Sequence, residues 1–298
     1  MDTKIDEIEL AANGLTFSAD ACGDGPVALC LHGFPDDRRS FRHQLPALAR
    51  AGRRAIAPTL RGYEPSSQPG REIAHYHPMR VASDVIAWAE SFGTVDLIGH
   101  DWGGVVSYLA AAQRPELFRT LCVIAIPHTS ALQQPAARRL LPSQLRKSWY
   151  ILFFQLRGLA DRFVERKDFA FIDWLWREWS PGFTPEPSVL ESVKRTLAQP
   201  GVRHAALAYY RAMFSPRLED AKAASALTTQ PIPVPTLAIT GARDGCLDTR
   251  FYEHVPEAIF PRGLRTERLD EAGHFAHQED PARVNALITS WIAEHDTA

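Results

Sequence analysis

No apolar run in this chain approaches the ~20 residues that a membrane-crossing helix requires, which weighs against an integral membrane protein. Also missing is the basic and then apolar start of a secretory leader. The first ten residues, MDTKIDEIEL, are instead acidic and alternating, so a cytoplasmic location is the expectation. Basic blocks are lacking too, and with a formal net charge of −2 the chain offers no electrostatic footprint for DNA or RNA. Cysteine is scarce. Cys22, Cys30, Cys122 and Cys246 have neither the short spacing of a zinc site nor that of a redox pair, and they are read as reduced, buried thiols. Internal repeats and low-complexity stretches do not occur. What remains is an ordinary globular composition, 45% hydrophobic and 23% charged, over a length that accommodates one large core and a smaller inserted unit.

Short β-branched runs alternate with helical stretches. VALCLHG (27–33), RAIAPTL (54–60), VDLIGHD (95–101) and LCVIAIPH (121–128) predict parallel strands joined by crossover helices. Amphipathic segments at 40–51 and 78–92 are each followed by a glycine, Gly52 and Gly93, suited to a helix C-terminus. The alternation stops after His128 and resumes with VPTLAIT (234–240), LRTERLD (264–270) and a closing helix near 281–294. The expected fold class is therefore α/β, a mostly parallel sheet with helices on both faces and an inserted helical cap. Residues 1–128 and 233–298 would form the core, and 129–232 the cap. The cap is rich in aromatic residues, among them Trp149, Tyr150, Phe153, Phe154, Trp174, Trp176 and Trp179. An insertion after the carboxyl end of a parallel strand would lie over the ligand crevice.

Gly99-His100-Asp101-Trp102-Gly103-Gly104 follows an apolar strand and precedes a helix-like run. It has the layout of the nucleophile elbow of α/β hydrolases, with Asp101 where serine usually stands. A sharp strand-to-helix turn would lift this side chain into the crevice, and the helix N-terminus favours a negative charge there. His32-Gly33-Phe34-Pro35 ends an earlier strand, so the backbone N–H groups of Phe34 and Trp102 are the candidate oxyanion hole. Asp244 and His274 each follow a later strand, giving the chain order nucleophile, acid, histidine. Asp248 is the alternative acid. His32 and His100 are expected to pack beside the site without reacting. His274, His277 and Glu279 do not have the spacing of a zinc protease, and neither a metal nor a cofactor is implied.

HGFPD, GHDWGG, GARD and GHFAHQED together resemble the soluble epoxide hydrolases of the α/β-hydrolase fold, with the haloalkane dehalogenases as near relatives. The resemblance spans nearly the whole chain. It implies that Asp101 attacks a saturated carbon to form an ester, which water activated by His274 and oriented by Asp244 then cleaves. A carboxylate, with a reference pKa of about 3.9, needs no base for that attack, whereas serine would leave a stable ether. It also implies two cap tyrosines that protonate the opening epoxide: Tyr150, and Tyr210 ahead of its neighbour Tyr209. Phe34, Trp102, Tyr150 and Tyr210 would bind the substrate, a small apolar epoxide. Trp102 is a point for the dehalogenase alternative, while Phe34, lacking a side-chain donor for halide, is a point against it. A fluoroacetate-type dehalogenase would carry arginine beside the nucleophile, where this chain has Trp102, and a serine esterase is excluded by Asp101 itself. A non-catalytic ligand-binding homologue is a further alternative, although no triad member is missing. The oligomeric state, homodimer included, is left open.

Overall fold

The computed structural model describes residues 3–296. One sheet contains β1 (Ile5–Ala12), β2 (Leu15–Cys22), β3 (Val27–Leu31), β4 (Arg54–Pro58), β5 (Val95–His100), β6 (Phe118–Ile124), β7 (Thr236–Gly241) and β8 (Leu264–Leu269). The spatial order is β1-β2-β4-β3-β5-β6-β7-β8. β3 to β8 are parallel, and β2 is antiparallel to both of its neighbours. Every residue of β3, β5 and β7 is buried, as expected of strands covered on both faces. Because side chains alternate along a strand, Leu29 and Leu31 join one apolar cluster with Val85, Trp88 and Val106, and Ala28 and Cys30 join the other with Leu45, Leu48 and Trp291.

Helices α1 (Gln44–Arg50), α2 (Pro78–Phe92) and α3 (Trp102–Gln113) pack against these strands. α2 has clear local limits. The His77 ring accepts the Met79 N–H at 3.2 Å, Pro78 occupies the first helical position, and Gly93 ends the helix at φ 83°. Between β6 and β7 the described residues form only helices and turns: α4 (Leu141–Lys147), α5 (Trp149–Phe154), α6 (Leu159–Trp179), α7 (Pro187–Ala198), α8 (Val202–Met213) and α9 (Glu219–Leu227). α6 is interrupted at 166–169, where the backbone leaves helical geometry. The short α10 (Ala276–Glu279) and then α11 (Pro281–Glu294) complete the chain. No helix among the described residues is long and apolar enough to cross a membrane.

Two features differ from the sequence expectation. β1 and β2 form a hairpin across Asn13-Gly14, whose φ angles of 48° and 75° suit a tight turn matched to strand twist. The helix expected over 40–51 is divided into a 3-10 turn at 38–41 and α1. Pro46 explains the division, because it lacks an N–H and its ring would clash with the carbonyl four residues earlier in a continuous helix, while the first turn of α1 tolerates it.

β3 has β4 on one side and β5 on the other, so the chain leaves β3 in one direction and returns to the opposite side. A crevice opens beyond the carboxyl ends of strands at such a switch point. The segments that enter it are the His32 to Pro35 turn after β3 and Asp101 after β5.

Candidate active site

β5 ends at His100 and α3 starts at Trp102, leaving Asp101 on the corner with φ 49° and ψ −115°. This backbone region is costly for a residue with a Cβ, so the surrounding packing must hold it. Gly103 makes that packing feasible, since a Cβ there would collide with the backbone of Leu31 and His32. The first-turn N–H groups of α3, Trp102's among them, have no partner within the helix and favour negative charge at the corner.

Asp101 Oδ1 accepts the Phe34 N–H at 2.8 Å, while Oδ2 lies 3.7 Å from His274 Nε2. On the other side of the ring, His274 Nδ1 is 3.0 Å from Asp244 Oδ2. Asp244 is itself fixed, its Oδ1 accepting the N–H groups of Cys246 and Leu247 at 2.7 and 2.8 Å. The three side chains thus form a buried carboxylate, imidazole, carboxylate row, with Asp101 8% exposed and His274 1%. Burial alone would lower the His274 pKa, but Asp244 and Asp101 outweigh it and raise it to about 10. Burial likewise pushes Asp101 up, and the neighbouring His274, helped by His100 and the Phe34 N–H, holds it below the ordinary carboxylate value. Asp248 is turned elsewhere, paired with Arg250 at 2.6 Å and capping the turn at 249–254.

α5 and α8 bring two tyrosines to this row. The Tyr150 and Tyr210 ring centres are 5.8 Å apart, and Tyr210 packs against Trp102 at 4.8 Å and Phe34 at 5.5 Å. Tyr150 Oη sits 3.3 Å from Cys246 Sγ. The buried Tyr210 Oη and Trp102 Nε1 have no hydrogen bond of ordinary geometry among the described residues. Tyr209 points the other way, donating its hydroxyl to the Arg61 carbonyl at 2.7 Å. Arg211 holds α8 in this rotation by donating to the Phe154 carbonyl at 2.9 Å and to Asp161 at 2.6 Å. Burial, reinforced by nearby groups that include Asp101, raises both Tyr150 and Tyr210 well above the usual phenol value, so both stay protonated.

Two contributors escaped the sequence reading. The Trp179 carbonyl, at the end of α6, accepts the N–H groups of Gly245 and His274 at 3.0 Å each, tying the inserted helices to both loops that carry the row. Cys246 joins the Asp244 loop to Tyr150. Neither had a local signal, because one acts through its backbone and the other through a contact 96 positions away.

His32 and His100 act as struts beside the row. His32 Nδ1 donates to the Gly33 carbonyl at 3.0 Å and Nε2 accepts the Leu60 N–H at 3.1 Å, while burial lowers its pKa to about 4. His100 Nε2 contacts the His274 carbonyl at 3.0 Å, and burial followed by the His274 charge lowers it to about 3. His277 lies with Asp36 and His100 in one group of possible metal ligands, and Asp244, Cys246 and His274 form another. In the first, Asp36 already accepts from Ser40, Gln278 and the Asp37 N–H; in the second, both Asp244 oxygens are engaged. Glu279 is apart from both, accepting from Ser180 Oγ and the Gly273 N–H.

The arrangement, a strained acidic corner after the central strand of a parallel sheet facing a histidine and acid on later loops, is the layout of an α/β hydrolase. A profile of the alpha/beta hydrolase family matches residues 28–287, and the chain belongs to that family. It is 32% identical over 289 residues to the AB hydrolase superfamily protein YfhM of Bacillus subtilis, covering 94% of this chain and 95% of that protein. Epoxide hydrolase 4 of mouse is 30% identical over 298 residues, covering 96% and 79%. Similar solved structures include an epoxide hydrolase from an endophytic Streptomyces, with a TM-score of 0.81 and 25% identity over 97% of this chain and 95% of that one. An epoxide hydrolase from Vigna radiata gives 0.79 and 25%, over 97% and 98%.

Proposed function

We propose that this protein is an epoxide hydrolase that forms a covalent ester on Asp101, with the helical segment 129–232 acting as a cap. The observation that carries the reading is the meeting of two protonated cap phenols, Tyr150 and Tyr210, with a buried ionised carboxylate. An opening epoxide becomes an alkoxide far more basic than a phenolate, so it needs acids of this kind, and the names of the relatives agree with that chemistry.

Asp101 Oδ2, which has no backbone donor among the described residues, attacks one epoxide carbon from the side opposite the breaking C–O bond. The released oxygen takes a proton from Tyr150 or Tyr210. Oδ1 becomes the ester carbonyl and stays with the Phe34 N–H. Esterification removes the Asp101 charge, one of the two that hold the His274 proton, so the imidazolium becomes more acidic and returns its proton to the tyrosinate left by epoxide opening, restoring the phenol. Neutral His274 then takes a proton from water, whose oxygen attacks the ester carbon. The N–H groups of Phe34 and Trp102 hold the oxyanion, and its collapse releases a vicinal diol and regenerates Asp101.

One observation favours a second reading. The buried Trp102 indole N–H, which makes no hydrogen bond of ordinary geometry among the described residues and lies beside Tyr210, would suit a halide leaving group, making a haloalkane dehalogenase the alternative. A panel of epoxides and haloalkanes, scored separately for diol and halide, separates the two. Diol from epoxides with little halide release is expected; halide release without diol would overturn the assignment.

A further inference from the structure

Nine large apolar side chains are exposed among the described residues, and six of them fall in one short stretch of the inserted helices: Leu145, Trp149, Leu152, Leu156, Leu159 and Phe163. They recur three and four residues apart without a break, the spacing that keeps side chains on one helix face. The stripe runs from α4 through α5 into α6. At the α4 to α5 junction the Ser148 N–H still bonds back to the Gln144 carbonyl at 2.8 Å, so the face carries across it. Trp149 and Phe163 then line one surface recess of about 480 Å³ together with Arg166 and Lys167. Beneath them Phe153 touches both rings, with centres 6.0 and 5.2 Å apart. Tyr150 and Phe154 occupy the buried face of α5, so the stripe lies on the side of that helix away from the catalytic row. Apolar patches on the order of several hundred Å² mark interaction surfaces, and six side chains of this size, Leu152 being 71% exposed, reach that extent.

The charges around the stripe indicate what covers it. Arg146, Arg157, Arg162, Arg166 and Lys167 are exposed, and none makes an ion pair among the described residues. The acids of the same stretch are already matched by bases from other helices: Asp161 by Arg211, Glu165 by Arg203 and Asp168 by Lys194, at 2.6, 3.0 and 3.6 Å. The break in α6 sharpens the pattern. Lys167, Asp168 and Phe169 take left-handed φ angles of 52°, 53° and 57°, a costly geometry that buries Phe169 while Arg166 and Lys167 stay exposed at the recess. Leucines and a tryptophan flanked by free bases match a negatively charged bilayer, which takes up apolar side chains at headgroup depth and attracts cations at its surface. A second copy of this chain would set five unpaired cations against five more, and a nucleic acid would meet the charges but leave the leucines in water. We propose that the outer face of α4, α5 and the start of α6 docks on an anionic lipid surface as a peripheral contact. The assignment is independent of the epoxide reading, because it rests on residues outside the catalytic row.

The test is flotation of the full chain with vesicles of phosphatidylcholine alone or of phosphatidylcholine carrying about 30% phosphatidylserine, which needs no turnover. Two variants probe the two halves of the surface, Leu152→Ser/Leu159→Ser for the stripe and Arg162→Gln/Arg166→Gln/Lys167→Gln for the charges. All five positions are exposed, an unchanged Tm certifies each fold, and either variant suffices if the other fails to fold. Wild type should float with the phosphatidylserine vesicles and not with phosphatidylcholine alone. The charge variant should bind about fivefold more weakly per base removed, the equivalent of ~1 kcal/mol each and roughly 100-fold in all. The stripe variant should lose at least about tenfold. Flotation with neither vesicle, equal flotation with both, or flotation unchanged in both variants overturns the proposal. Absent flotation together with a concentration-dependent dimer in sedimentation velocity, dissociated by Leu152→Ser/Leu159→Ser, would overturn it in favour of a second copy on this face.

Discussion

His274 is held between two carboxylates at 3.0 and 3.7 Å, and the reaction neutralises only one of them. The two half-reactions should therefore separate on substitution. His274→Ala should still be alkylated and then stall, giving a substrate-sized adduct by intact-protein mass that maps to the Asp101 peptide; an inactive variant without adduct contradicts this division. The tyrosines belong to the first half-reaction. Losing one hydroxyl should slow alkylation by about 10² to 10³ if it resembles an oxyanion-hole donor, and redundancy between the two makes Tyr150→Phe/Tyr210→Phe the decisive variant, expected to be nearly inactive in single-turnover alkylation. Tyr209→Phe removes a bond to the Arg61 carbonyl instead and should cost stability more than alkylation rate. A larger alkylation defect in Tyr209→Phe than in Tyr210→Phe would reverse their roles.

Two glycines show how differently local elements are fixed. Gly14 has φ 75° with open space around it, so Gly14→Ala should cost only backbone strain, about 1 kcal/mol in urea unfolding. Gly103→Ala would drive a methyl into the Leu31 backbone, which cannot move without shifting β3 and the Phe34 N–H. It should cost about 1–3 kcal/mol and also slow ester hydrolysis. Comparable stability losses with normal turnover in both variants would remove the special role of the α3 corner. What the sequence made legible follows the same division. The runs at 27, 54, 95 and 234 carry their burial in their own composition, whereas LRTERLD at 264 is polar and only partly buried, and α2 and α11 declare their limits by Pro78, Gly93 and Pro281. The first hairpin is signalled only by Asn13-Gly14 between alternating runs. Choosing Tyr210 over Tyr209 was different. Adjacent helix residues point about 100° apart, and which of them faces Asp101 is set by Arg211 anchoring α8 to Phe154 and Asp161, a long-range fact.

Across the whole molecule, the row ties the α/β core to the inserted helices through Trp179, so its charge state should affect stability as well as chemistry. The folded state raises the His274 pKa to about 10 from an unfolded value of about 6.5. A raised pKa means a contribution fully present below about pH 6.5 and lost as pH rises through about 10. The Tm difference between wild type and His274→Gln should accordingly narrow from pH 6 to above 10, and a gap that widens would mean the folded-state shift has the opposite sign. The central claim is that Asp101 gives its own oxygen to the product. One turnover of a reactive epoxide in heavy-oxygen water, with enzyme in excess, reads it directly: the diol should carry no label and the peptide containing Asp101 should gain it, whereas heavy oxygen in the diol from that first turnover would contradict a covalent Asp101 mechanism.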